Sequence, residues 1–196
     1  MDLYAIVDIL IMSKLTYEAI LNQNKLEFEN KTDFEKILLK WDKKFLDETH
    51  YYLELVQNNE VIYWMNQYSF QAFISKRFGL DENDIYRQPD EVFIKINENN
   101  INVYAIDKKN RNVRGLIGDE LMSGIYTRKE YSKMLSPIKD YTINVEYGYC
   151  ISKFLCDKYL SQPKYNMLKE ILEEEKIPIF YGDDKNYFST IAKWIS

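Results

Sequence analysis

Apolar positions recur at mixed helical spacing through the first part of the chain. Leu3 to Leu21 and Lys31 to Phe45 read as helices, and Asn59 to Phe78 reads as a third that Gly79 closes. In that third segment Val61, Trp64, Met65, Tyr68 and Phe73 fall near helical spacing, an aromatic stripe suited to core packing. After Gly79 the period changes. Glu91 to Asn97 and Ile101 to Asp107 are short β-rich runs separated by Glu98-Asn99-Asn100, which predicts a hairpin. Helical spacing returns near Ile117 to Met122 and Arg128 to Leu135, a β-rich run follows over Tyr141 to Tyr149, and a helix is expected over Ile151 to Leu160. Pro163 opens a further helix to Glu175, Ile177 to Tyr181 reads as a strand, and Lys185 to Ile195 reads as a closing helix. This order predicts an α/β fold with a mixed central β-sheet flanked by α-helices.

No internal repeat, Ser/Gly linker or long single-sign charge block divides the chain, so one domain over 1–196 is expected. Within it, 1–60 reads as a helical N-terminal part and 61–196 as the core that carries the chemistry. A hydrophobic share of 46% with only six glycines and four prolines excludes disordered, collagen-like and low-complexity classes. The formal charge of -5 argues against polycation-style binding of nucleic acid, while leaving room for a local basic face. Cys150 and Cys156 are too few for a disulfide framework and lack a zinc-spaced partner pair, so both are expected to be reduced packing residues. The apolar run Leu3 to Met12 is interrupted by Asp8 and follows Asp2 rather than a basic segment, so no secretion signal is expected. No run approaches the ~18 apolar residues that span a bilayer, and a cytoplasmic location with no membrane partner is the expectation.

The sharpest chemistry lies on the hairpin. Pro89-Asp90 stands where the first strand begins, and Asp107-Lys108-Lys109 ends the second. Side chains two apart on a strand share a face, so Asp107 and Lys109 project together and Lys108 points away. A tight turn at Glu98-Asn99-Asn100 brings Asp90 alongside them. Two carboxylates and a lysine suit phosphodiester hydrolysis. The carboxylates hold Mg²⁺ through oxygen, the cation retains waters, and the ammonium group stabilises charge on the phosphorus centre. The competing reading is a plain turn at Pro89-Asp90 and a solvated strand end at Asp107-Lys109, since both patterns are short.

Pro89-Asp90 followed by Asp107-Lys108-Lys109 resembles the signature of the PD-(D/E)XK nuclease superfamily, and the surrounding residues resemble type II restriction endonucleases within it. The resembling stretch runs from Arg87-Gln88-Pro89-Asp90-Glu91 through Val103 to Asn110. It continues through Asn112-Val113-Arg114-Gly115 and Asp119-Glu120-Leu121 to Arg128-Lys129-Glu130-Tyr131 and the strand Ile143 to Tyr149. The resemblance covers roughly residues 60 to 160. It implies a restriction-endonuclease-like core, Mg²⁺-dependent cleavage of double-stranded DNA, and a homodimer reading a short site. Carried over residue by residue, it makes Asp90 and Asp107 metal ligands and Lys109 the catalytic lysine. The chain has Asp107 where glutamate is commoner, Arg111 where glutamine is frequent, and its own wording over Leu116 to Leu121.

Charge position sharpens the picture. Lys108 to Lys139 holds eight basic residues, among them Arg111, Arg114, Arg128, Lys129 and Lys133, against three acidic ones, a surplus of five. With the whole chain at -5, the remainder carries -10. Such a segment suits a phosphate backbone, with Arg111 and Arg114 expected to contact DNA, although two amphipathic helices exposing cations read the same way. His50, the single histidine, is expected at the surface or in packing. Glu54 and Glu60 are candidates for an extra metal carboxylate, with solvated surface the simpler reading. Gly182-Asp183-Asp184 reads as a turn with a cap. Two functions follow: a site-specific Mg²⁺-dependent endonuclease, or a non-catalytic DNA- or protein-binding module that retains a nuclease-like core. A helical interaction protein with an incidental hairpin is a third. The recognition sequence, cleavage stagger and dimer surface are not encoded in any short motif.

Overall fold

The computed structural model describes residues 27–57, 60–110 and 117–196. Seven strands form one sheet in chain order: β1 (Asp42–Phe45), β2 (Tyr51–Gln57), β3 (Glu60–Asn66), β4 (Glu91–Asn97), β5 (Asn100–Lys109), β6 (Thr142–Ile151) and β7 (Ile179–Tyr181). β1 to β5 run as an antiparallel meander, and β6 and β7 then add in parallel. A parallel neighbour needs a crossover. Helices α2 (Ile117–Met122) and α3 (Gly124–Leu135) lie in the β5–β6 crossover, and α4 (Asn166–Glu174) lies in the β6–β7 crossover. α1 (Gln67–Phe78) and α5 (Tyr187–Ile195) complete the flanking layers, giving a mixed sheet between helices.

Strand alternation sorts the core into two. Ile101, Val103 and Ala105 of β5 join Val92, Ile94, Tyr147 and Tyr149 under α1 and α3, where Phe70, Phe73, Tyr131, Met134 and Leu135 are buried. Ile106 of β5 joins Trp64, Phe93, Cys150 and Phe180 on the other face, covered by Tyr187, Ile191 and Ile195 of α5 and by Phe28 and Phe34. Both faces of the central strands are therefore buried, so β3 and β4 read as continuous apolar runs rather than as alternation.

That double burial explains where the structure departs from expectation. The segment Asn59 to Phe78 is not one helix. Val61 to Met65 belongs to β3, paired with β2 on one side and β4 on the other, because a β-branched and aromatic run buried on both faces mimics a core helix in sequence. The helix begins only at α1, where the Asn66 side chain accepts from the Ser69 amide at 3.2 Å. Gly79 ends it in the left-handed region at φ 73°, donating its amide to Ser75 at 2.8 Å. Of the aromatic stripe, Trp64, Met65 and Phe73 are buried, whereas Tyr68 is exposed. Lys31 to Phe45 is likewise not a helix, since turns at Phe34 to Trp41 lead into β1. The helix expected over Leu3 to Leu21 lies outside the described residues. The helix expected over Ile151 to Leu160 starts two residues later: Ile151 closes β6, Ser152 caps a helical turn over Lys153–Leu155, and a π-helix over Cys156–Leu160 continues it.

The segment around Phe28 to Phe34 is locked onto the sheet at Gly182, where an added Cβ would lie 2.5 Å from Thr32 Cγ2 and 2.7 Å from Phe28 Cε2. Thr32 is itself buried, with its hydroxyl donating to the Phe28 carbonyl at 2.8 Å, so it cannot yield. Gly182→Ala is expected to lower unfolding free energy by about 1–3 kcal/mol through overpacking, read as a lower urea midpoint at unchanged slope.

Candidate active site

The β4–β5 register pairs Glu91 with Ile106, so the next rung sets Asp90 opposite Asp107. Pro89 stands just ahead of the strand, a position where its missing N–H costs no ladder bond. Asp90 is half-buried, and its Oδ2 accepts the Lys108 backbone N–H at 2.6 Å. Asp107 Oδ2 accepts the Tyr147 hydroxyl at 2.8 Å, and Lys109 Nζ stands 3.7 Å from the same oxygen. Asp107 and Lys109 extend the face that holds Val103 and Ala105, while Lys108 points to the other face. Thus Asp90, Asp107 and Lys109 meet where β4 begins and β5 ends.

The influences on Asp107 are opposed, and burial prevails. Burial raises the Asp107 carboxyl above the usual carboxylate range, Lys109 and the Tyr147 hydroxyl pull it back down, Asp90 raises it and Arg87 lowers it. Arg87 in turn pairs with Glu130 of α3 at 2.7 Å, tying the segment ahead of Asp90 to the helix that covers the site. Burial, reinforced by Asp107, pushes the Tyr131 and Tyr147 hydroxyls far up, so both stay protonated donors. Tyr149 donates to the Glu120 carbonyl at 2.6 Å, anchoring the end of the α2 segment beside the same cluster.

No protein-family model, curated protein or solved structure matches this chain. The chemistry of the site therefore rests on its own side chains. On the reverse face of the same rungs Glu91 is buried, with Lys108 Nζ against its Oε1 and Trp64 Nε1 donating to Oε2 at 3.4 Å. Lys108 Nζ also donates to the Thr32 carbonyl at 3.1 Å.

Arg111 and Arg114 lie outside the described residues. Within the basic segment, Lys108 and Arg128 are committed internally, to Glu91 and to Glu175 respectively. Lys129, Lys133 and Lys139 are exposed. Glu60 sits at the opposite end of β3 from Asn66, the residue that pairs with Glu91, and binds Lys95 at 3.1 Å. Glu54 pairs with Lys44, so neither glutamate joins Asp90 and Asp107. His50 lies between β1 and β2 against Asp47, whose carboxyl is held far below the usual range by Lys76 and by the Thr49 and His50 amides. Cys150 is a free, buried residue whose thiol burial pushes up to about 12, an inert packing group, and Cys156 is also free. Asp183 accepts the Lys153 amide at 2.9 Å and Asp184 the Asn186 amide at 2.7 Å, so Gly182-Asp183-Asp184 is a turn that caps its neighbours.

Motif reading gives no role to Tyr147, nor to Arg87, Glu91 and Lys108, which stand within the resembling stretch. A charged residue beginning the apolar run Glu91 to Ile94 is the one local signal for the buried pair; Tyr147 reaches Asp107 only through the parallel β5–β6 register. Removing its hydroxyl has a signed effect. Tyr147→Phe deletes a hydrogen bond to the ionised carboxyl, which raises the Asp107 pKa further, so protons compete better at this oxygen. The Asp107 carboxyl of Tyr147→Phe, followed by NMR, is expected to titrate at higher pH than that of the wild type.

Proposed function

We propose that this chain is a Mg²⁺-dependent endonuclease that hydrolyses phosphodiester bonds of double-stranded DNA. In the finer form of this reading it is a site-specific type II restriction enzyme with a restriction-endonuclease-like core, acting as a homodimer. The observation that carries the proposal is the meeting of two carboxylates and one lysine: Asp90 level with Asp107 one step beyond the Glu91–Ile106 pair, with Lys109 Nζ 3.7 Å from Asp107 Oδ2.

The donor set fits magnesium. Mg²⁺ is bound through one or two carboxylates and keeps several waters, and Asp90 and Asp107 supply two. Among the described residues no group of three or more His, Cys, Asp or Glu side chains forms that could hold a metal ion, so the proposed site rests on these two carboxylates alone. When bound, the cation polarises a phosphoryl oxygen and makes its water a better nucleophile. The chain's own residues do the rest. The Lys108 amide orients Asp90, and the Tyr147 hydroxyl orients Asp107. Lys109, on the same face as Asp107, places a positive charge where the phosphorus centre accumulates negative charge. Lys129 and Lys133 on α3 and Lys139 beyond it offer exposed cations to the backbone.

The test is incubation of the full chain with a mixture of long duplexes in Mg²⁺ or in chelator. Discrete metal-dependent fragments from the wild type, and none from Asp90→Ala, are expected. Duplex binding without cleavage under any divalent metal would favour the alternative, a binding module that keeps the core without its chemistry.

A further inference from the structure

We propose that Lys108, the lysine between the two site residues of β5, is a positioning residue that fixes Asp90 and Asp107 from the opposite face of the sheet. It rests on reading Asp90 and Asp107 as the cation pair. Lys108 is engaged at both ends. Its backbone N–H holds Asp90 Oδ2 at 2.6 Å on the site side, while its Nζ is clamped by Glu91 and by the Thr32 carbonyl at 3.1 Å. Asp90-Glu91 and Asp107-Lys108-Lys109 therefore form a two-faced unit. On one face the two acids meet Lys109; on the other the buried Lys108–Glu91 contact ties the same two rungs together.

Each contact fixes a different degree of freedom. The Glu91 link sets β5 against β4, so Asp107 cannot slide relative to Asp90. The Thr32 link fixes the head of the side chain against the segment that Gly182 seats on the sheet. Trp64 holds the second oxygen of Glu91, leaving the carboxylate one orientation toward Lys108. The pair is almost fully withdrawn from water, with side-chain exposures of 11% for Lys108 and 4% for Glu91. Desolvation makes such a pair a poor source of stability compared with apolar residues of similar volume. Its value is geometric, because a ligand set works only when its supporting contacts hold it in place, and losing one such contact typically costs 10–100-fold in metal affinity or activity.

The experiment compares wild type with Glu91→Leu/Lys108→Met, which swaps the pair for apolar volume, and with Glu91→Gln, which keeps volume and an acceptor. Two readouts are taken on the full chain: exchange of the residue 108 amide by NMR, and free Mn²⁺ by electron paramagnetic resonance without DNA. The double variant is expected to fold yet exchange the 108 amide at least about tenfold faster and bind Mn²⁺ about 10–100-fold more weakly. Glu91→Gln is expected to move in the same direction by a smaller factor. A double variant, or Glu91→Gln should the double not fold, with wild-type exchange at 108 and wild-type Mn²⁺ affinity would overturn the proposal. Wild type binding Mn²⁺ no better than Asp90→Ala would instead sink the cation reading, and amide exchange alone would then decide whether Lys108 positions Asp90.

Discussion

Lys109→Met is expected to lower the single-turnover rate of Mg²⁺-dependent duplex cleavage by about 10²- to 10³-fold, the usual loss on removing one charge-stabilising group from an active site. Methionine keeps the unbranched length and the packing of the stem but not the ammonium. Lys109 is part-exposed at the end of β5, outside both core clusters, so the substitution leaves the fold intact. It also leaves Asp107 with one fewer cation. The carboxyl is already raised by burial, and losing the Lys109 attraction raises it further, so the residual activity of the variant should climb at higher pH than that of the wild type. A rate that falls without this shift would mean that Lys109 acts on the phosphate but not on Asp107. Fragment production measured over pH at saturating Mg²⁺ separates the two.

The second large effect concerns stability. Glu91→Ala strands the Lys108 ammonium in a site with 11% exposure, and breaking one side of a buried pair costs about 3–5 kcal/mol. Replacing both partners, as in Glu91→Leu/Lys108→Met, is expected to recover most of that loss. The sign with pH follows from Glu91 itself. Burial pushes its folded carboxyl up to about 7, against the pull of Lys108 and Trp64, whereas the unfolded chain releases that proton near 4.5. The folded state then holds more protons between these values, so the Glu91 contribution to stability is highest below about pH 4.5 and declines as pH rises to 7. Urea midpoints of the wild type, referenced to the double variant across this window, should fall with pH. A flat difference would show that Glu91 stays ionised throughout.

Much of the second half of the chain was legible because its strands are bounded by turns and its helices are amphipathic. The hairpin at Glu98-Asn99, the crossover helices and the parallel strands all follow patterns local in sequence. The first part was not, for the physical reason that β3 is buried on both faces between β2 and β4. Periodicity cannot separate a doubly buried strand from a buried helix, and β1, with Phe45 as its one apolar position, carries too few to announce itself. The motif residues were legible as strand positions of common parity. Their supports were not. Tyr147 is 40 residues from Asp107, Thr32 is 76 from Lys108, and both contacts exist only once the sheet has set its register. The charge count was instructive in the other direction: Lys108 and Arg128 looked like phosphate cations, yet each is taken by an internal glutamate.

The most direct measurement is the anomalous scattering of crystals of the full chain soaked in Mn²⁺. One peak within ligand distance of carboxylate oxygens of both Asp90 and Asp107, lost in Asp90→Ala, is the result this account predicts. Clear density for both side chains with no peak between them, in crystals that cleave DNA on dissolution, would contradict it.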